Sequence, residues 1–435
     1  MALEITRKPD IQPISHPSLG RIMNSMLPVF TKCRSLRLRL SHYTLRQILQ
    51  GINRPQALFN HLESLMLCVT GDVISEELRI FEDAPNLRIL SLHMQDCFVD
   101  CPIFLPGSPM REFNYRIIVD ESYLDLDGGG KIPWRRIIGD CSNLEHLRLT
   151  WLLQRYTDYE DGDRQIEDLD SRLLDLPSLK TIEIVNELMG AIDSIFENFT
   201  YSNQLKQFRF EAISRPCVMS LHEGNDLAPA TFAPMRLQLE NIVPILQPLT
   251  HLALVQVSLN DLYMLRLFKA TKSLRHLELL NVFVDPDPEV ELVFIKYSPY
   301  CVPDNRRLLQ LLTEGDGGEL LLLGLVSLVL YYPSSPFHDG MDDLPISQYS
   351  TMARTRVEMN ASRDIHCPGS KNHFKFLLHF FEFKAHEIPS DVMAVSTAMK
   401  SIGTESLRFQ FEYDFLTSFI NARNGCCYNC FHNGT

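Results

Sequence analysis

Short stretches of alternating apolar and polar residues recur along the chain, each led in by an apolar residue three positions earlier. Residues 85–92, Pro-Asn-Leu-Arg-Ile-Leu-Ser-Leu, read L-x-x-L-x-L through Leu87, Leu90 and Leu92. The same spacing returns in CSNLEHLRL (141–149), LPSLKTIEI (176–184) and TKSLRHLEL (271–279). Alternation at period two predicts a strand with one buried face. Between the strands, apolar residues at helical spacing predict helices over 19–30, 45–52, 74–81, 189–199, 262–268 and 306–312, with a short one at 173–176.

The pattern starts at 33, 62, 87, 110, 144, 179, 205, 249, 274 and 325, so neighbouring starts differ by 29, 25, 23, 34, 35, 26, 44, 25 and 51 residues. The short intervals match the leucine-rich-repeat period of about 20–29 residues, and the long ones need insertions. A strand, a turn and a helix repeated in this way predict an α/β fold. It is an irregular leucine-rich-repeat solenoid with a parallel strand ladder on the concave face and helices on the convex face. The first, fourth and sixth positions of each unit point inward and stack on their neighbours. The third, fifth and seventh face out. The ninth position holds Thr70, Gln95, Leu152, Val257 and Val282 where a regular array carries Asn or Cys, so no asparagine ladder forms.

The expected organisation is a loose lead-in (1–16), the repeat array (17–332), a loop-rich excursion (333–372), degenerate repeats or a cap (373–421), and a Cys-rich tail (422–435). In the excursion the periodicity fades. Residues 374–383 fit helix or strand equally, and a last degenerate strand falls at Leu407-x-Phe409-x-Phe411. The apolar run 320–332 is too short for the roughly 20 residues of a membrane helix and reads as a helix end entering a strand.

Composition narrows the function classes. Hydrophobic residues at 45% and charged residues at 22% give a folded rather than a disordered chain. A net charge of −13 opposes non-specific binding to nucleic acid or to anionic membrane. The first ten residues have no apolar core of the secretory kind, which points to an intracellular site, cytoplasmic or nuclear. The eleven cysteines are scattered, with Cys68, Cys97 and Cys301 inside apolar runs, and read as buried thiols rather than disulfides. In that compartment the sequons at Asn198 and Asn360 carry no glycan.

Candidate chemistry is sparse. Cys426, Cys427, Cys430 and His432 are the one cluster with zinc-ligand spacing, but no second C-x-x-C completes a four-ligand site, so no metal and no cofactor is expected. Gly128-Gly129-Gly130-Lys131 lacks the P-loop spacing and runs into Pro133. His93, His146, His251 and His276 lie on repeat strands. Three of them share the third position, where a joint ligand site would need them adjacent in the stack. No nucleophile–base set or carboxylate pair stands at informative spacing, so no catalytic residue is assigned and the chain is not read as an enzyme. The outward track is the better site. It runs through Arg37, Arg39, Ser91, His93, Asn114, Arg116, Arg148, Thr150, Trp151, Glu183, Arg209, Glu211 and Glu278. Its first part is basic in an acidic protein. That suits an acidic or phosphorylated segment of a protein partner, with Trp151 as an aromatic anchor.

CRSLRLRL, HLESLML, APNLRILSL, CSNLEHLRL, LPSLKTIEI, PLTHLALV and KSLRHLELL together resemble the irregular leucine-rich repeats of F-box proteins, above all the large fungal group. The resemblance covers residues 17–332. It implies a protein-recognition scaffold similar to the substrate-binding half of an adaptor for cullin-type ubiquitin ligases. In that family an F-box binds a Skp-type adaptor. Here only about 16 residues precede the first predicted helix, and Leu27-Pro28 is all that echoes the motif. The alternatives are a repeat-only protein with no ligase link and a zinc-binding protein using the C-terminal cysteines.

Overall fold

The computed structural model describes residues 2–6, 25–26, 28–41, 45, 59–70, 81, 84–95, 109–119, 137–139, 141–153, 174–186, 199–200, 204–212, 235–236, 246–255, 257–280, 282–285, 306–332, 346–364, 374–380, 397 and 407–410. The chain divides into two compact units, Met1–Leu205 and Lys206–Thr435. The chain as a whole is α/β, and each unit carries a run of parallel strands; the helices with defined bounds lie in the second.

The first unit holds β1 (Ala2–Thr6), β2 (Ser35–Ser41), β3 (Ser64–Thr70), β4 (Ile89–Gln95), β5 (Glu112–Val119), β6 (His146–Leu153), β7 (Leu174–Asp175), β8 (Thr181–Asn186) and β9 (Phe199–Thr200). Strands β1 to β6 and then β8 pair in chain order, all parallel. The register matches the repeat spacing without a slip. Leu36, Leu65, Leu90, Phe113, Leu147 and Ile182 form one row, and Leu38, Leu67, Leu92, Tyr115, Leu149 and Ile184 the next. Every one of these twelve side chains is buried. A one-residue slip would turn both rows outward, so burial sets the register.

Two backbone devices lock each step. The lead-in apolar residue closes a turn: Leu62, Leu87, Leu144 and Leu179 donate their N–H to the carbonyls of Phe59, Ala84, Cys141 and Leu176. Pro85 and Pro177 sit second in such turns, where a fixed φ near −65° is favoured. The carbonyl of the second repeat position then accepts two amides from the next unit. Arg34 accepts from Glu63 and Ser64, Glu63 from Arg88 and Ile89, Arg88 from Arg111 and Glu112, and Arg111 from Glu145 and His146.

In the second unit, β10 (Gln207–Ala212), β11 (Met235–Arg236), β12 (His251–Val255), β13 (Val257–Asn260), β14 (His276–Leu280), β15 (Phe283–Asp285), β16 (Ser327–Tyr332), β17 (Phe374–Phe380) and β18 (Leu407–Gln410) are joined by helices α1 (Asp261–Ala270), α2 (Arg306–Thr313) and α3 (Ile346–Asp364). Strands β10, β12, β14, β16, β17 and β18 form the main parallel ladder. Its row Phe208, Leu252, Leu277, Leu328 and Phe376 is buried. A side ladder of β11, β13 and β15 runs beside α1.

Several sequence expectations change. The lead-in is not loose throughout: Ala2–Thr6 is β1, in register with Ser35–Arg39, because Leu3 and Ile5 continue the alternation. Residues 174–175, expected to be helical, pair as β7 with β9. Residues 320–326 are turns and irregular backbone, so the last helix before β16 ends at Thr313. Gly315 closes that helix at φ +77°, and a Cβ there would run into the Glu319 carbonyl oxygen. The excursion contains the 19-residue α3. Its inward residues are Tyr349, Met352, Ala353, Arg356 and Asn360, and the two polar ones hid the helical stripe. Arg356 is 1% exposed, and its guanidinium donates to the carbonyls of Leu312, Leu321 and Leu322. It thereby closes the C-terminus of α2 and the turn that follows. The expected helices over 74–81 and 189–199, Gly128–Lys131, Cys97, Cys301 and the cluster Cys426, Cys427, Cys430 and His432 lie outside the described residues, apart from the end residues Phe81 and Phe199. Cys33, Cys68 and Cys141 are buried thiols and form no disulfide. No helix among the described residues is long and apolar enough to cross a membrane.

Candidate partner-binding face

The outward residues of the first unit fall into two central rows. One runs Arg37, Met66, Ser91, Asn114, Arg148 and Glu183; the next runs Arg39, Cys68, His93, Arg116, Thr150 and Val185. Parallel strands bring residues 23 to 35 apart in sequence to neighbouring positions about 4.8 Å apart. Nine of the predicted site residues thus share one face. They are Arg37, Arg39, Ser91, His93, Asn114, Arg116, Arg148, Thr150 and Glu183. Thr150 is only 8% exposed and contributes little surface.

The face is polar and interlocked. The Asn114 amide donates to Ser91 Oγ at 3.3 Å and to Glu112 Oε1 at 2.9 Å. Arg148 lies 3.5 Å from Glu183. His93 is half-buried beside Arg116. Its imidazole pKa falls from 6.5 to about 4, first through burial and then through the positive charges of Arg116, Arg37 and Arg148. The ring is therefore neutral at physiological pH, and the positive potential around it comes from guanidinium groups. The buried Nε of Arg116 has no hydrogen-bond partner among the described residues.

Trp151 does not belong to this face. It is 0% exposed and stands in the phase of Leu147 and Leu149, in register with buried Ile117. Period two makes that unavoidable: 147, 149 and 151 point the same way. Its indole N–H has no hydrogen-bond partner among the described residues, and it packs as core, not as an aromatic anchor.

Arg209, Glu211 and Glu278 belong to the second unit. Arg209 lies 3.6 Å from Glu211 and 3.5 Å from Glu278, so its charge is compensated. Ala253 stands between Arg209 and Glu278 in the register, and its methyl leaves room for the arginine to span two strand spacings. Glu211 is itself buried at 7% exposure.

The same unit shows a feature the sequence did not resolve. His251 and His276 occupy one row, and their rings stack at 4.1 Å with 16° between planes. Thr250 Oγ1 lies 2.8 Å from His251 Nδ1. Burial holds both imidazoles below their ordinary pKa, and for His276 the charges of His251, Arg275 and Lys375 add to it. His146 is not in this row; it lies in the first unit, in register with Glu112 and Thr181. Among the described residues no three His, Cys, Asp or Glu side chains come together as metal ligands.

No family model matches this chain, and no curated protein matches it.

Proposed function

We propose that the chain is a protein-recognition scaffold built of irregular leucine-rich repeats, similar to the substrate-binding region of F-box adaptors, and that it acts by binding and not by catalysis. The observation that carries this reading is the arginine-bearing outward face of the first unit. An acidic protein places Arg37 and Arg39 on β2, Arg116 on β5 and Arg148 on β6, three strands of one parallel ladder. Such a face suits an extended partner segment with acidic or phosphorylated side chains, each read by a guanidinium fork. The net charge of −13 disfavours non-specific binding to nucleic acid and to anionic membrane.

The repeat style further suggests a link to a cullin-type ubiquitin ligase through a Skp-type adaptor, in the cytoplasm or nucleus. Co-expression with such an adaptor tests that branch, and separate elution on gel filtration counts against it. The central reading is tested by affinity capture from a lysate. Arg116→Glu and Arg148→Glu are expected to lose the proteins that the unaltered chain recovers. If both variants stay folded and recover the same proteins, the outward face is not the binding surface.

A further inference from the structure

We propose that the stacked pair His251–His276 is an acid-responsive device on the outward face of the second unit: the rings stay stacked while at most one carries a proton and part when both do. The device does not depend on the partner face of the first unit.

The register brings the pair together. Gln207, His251, His276, Ser327 and Lys375 form one outward row across β10, β12, β14, β16 and β17. Within it the two imidazoles lie face to face, 4.1 Å between centroids and 16° between planes, each partly buried. Thr250 Oγ1 lies 2.8 Å from His251 Nδ1 and 3.2 Å from the Lys206 carbonyl oxygen. A protonated ring keeps that arrangement. An imidazolium donates from both nitrogens, the hydroxyl oxygen accepts from Nδ1, and the hydroxyl hydrogen goes to the carbonyl. One proton is therefore accommodated on His251 without loss of its partner.

A second proton finds no such support. The row holds no carboxylate. Lys375 stands two strands from His276, and Arg275 precedes it in the chain; both charges bear on His276, as does that of His251. In the next outward row Glu278 is engaged by Arg209 at 3.5 Å, and Arg209 also by Glu211 at 3.6 Å. One imidazolium over a neutral ring is a cation facing a π system, an attractive contact. Two imidazolium ions at this separation repel strongly even near a surface. The backbone ladder fixes β12 and β14, so the rings relieve the repulsion by changing rotamer. Burial keeps both rings below the ordinary histidine range, which puts both steps on its acid side. The outward face of the second unit thus differs in charge and in shape above and below the second step.

The test is a pH titration of the full chain by NMR with histidine-selective carbon labelling, the two rings being assigned from His251→Gln and His276→Gln. Two separated midpoints are expected, both on the acid side of an ordinary histidine. The ring-current shift that each imidazole imposes on the other should persist through the first step and collapse across the second. In His251→Gln the midpoint of His276 should rise toward the ordinary value, because a positive neighbour is removed; Lys375→Gln should move it the same way by less. Thr250→Val should lower the His251 midpoint, since the charged ring loses an acceptor, a change that simple packing of the two rings would not produce. Ring-current shifts that survive with both rings protonated overturn the proposal. So does a His276 midpoint that stays in place in a folded His251→Gln. Loss of the whole fold at the second step, read by circular dichroism, also overturns it, because the response would then be unfolding and not a local rearrangement.

Discussion

Leu90 and His93 lie three positions apart on β4 and answer to different constraints. Leu90 is 0% exposed between Leu65 and Phe113. Truncating it to Ala should cost about 2–5 kcal/mol, as should Leu277→Ala in the second unit, measured by denaturant unfolding. His93 faces out and titrates. Its folded pKa of about 4 lies below the 6.5 of the ordinary ring, so the unfolded chain takes up a proton first as pH falls. Its contribution to stability is complete above about 6.5 and is lost as pH drops toward 4. A His93→Gln variant should show a shallower fall across that window; an unchanged slope would mean that the ring is not held neutral. Trp151 marks the limit of reading residues singly. Trp151→Phe should leave partner capture unchanged and cost about 1–3 kcal/mol, through the cavity left by the smaller ring at a fully buried site. Loss of capture by a folded Trp151→Phe would return the indole to the binding surface.

Among the elements, α3 is the one the sequence hid. A helical stripe is recognised by apolar residues, and two of its inward positions are Arg356 and Asn360. Arg356 is buried for its geometry: three carbonyls from the end of α2 and the following turn converge on one guanidinium. Arg356→Met retains the volume and leaves those carbonyls unsatisfied. A loss on the order of 3 kcal/mol is expected, with the largest rise in amide exchange at the α2 end and residues 321–322. Uniform exchange across the second unit would instead assign Arg356 no local role. Asn360 is buried and donates toward the Leu325 carbonyl at 3.5 Å, so the sequon there is part of the packing. The strand elements were far more legible. Their alternation of apolar and polar residues continues in the sequence of β18 and of β1.

For the whole molecule, charge is the telling quantity. The chain is at −13 overall, yet the outward rows of the first unit gather arginines. Partner capture through that face should weaken steadily as salt rises through the range where the Debye length falls from about 10 Å to 3 Å. Capture indifferent to salt would point to an apolar contact instead. The surface ion pairs of the second repeat position, Arg34–Glu63 at 3.8 Å and Arg111–Glu145 at 3.6 Å, contribute little to stability by comparison. Lys180–Glu145, at 2.7 Å, belongs to the same row.

The sequence by itself determined the ten repeat strands β2 to β6, β8, β10, β12, β14 and β16, their inward rows and their parallel order, because each follows from a local period and a burial rule that holds unit by unit. It also placed nine residues of the candidate face, through the same alternation. Tertiary structure alone decided what those residues meet. Arg209 reaches Glu278 across 69 positions only because Ala253 lies between them. His251 and His276 stack, while His146 at the same repeat position lies in the first unit. The buried guanidinium of Arg356 is likewise explained only by carbonyls 34 to 44 residues away. Periodicity describes one strand at a time; partners across strands depend on register, side-chain reach and the size of what lies between.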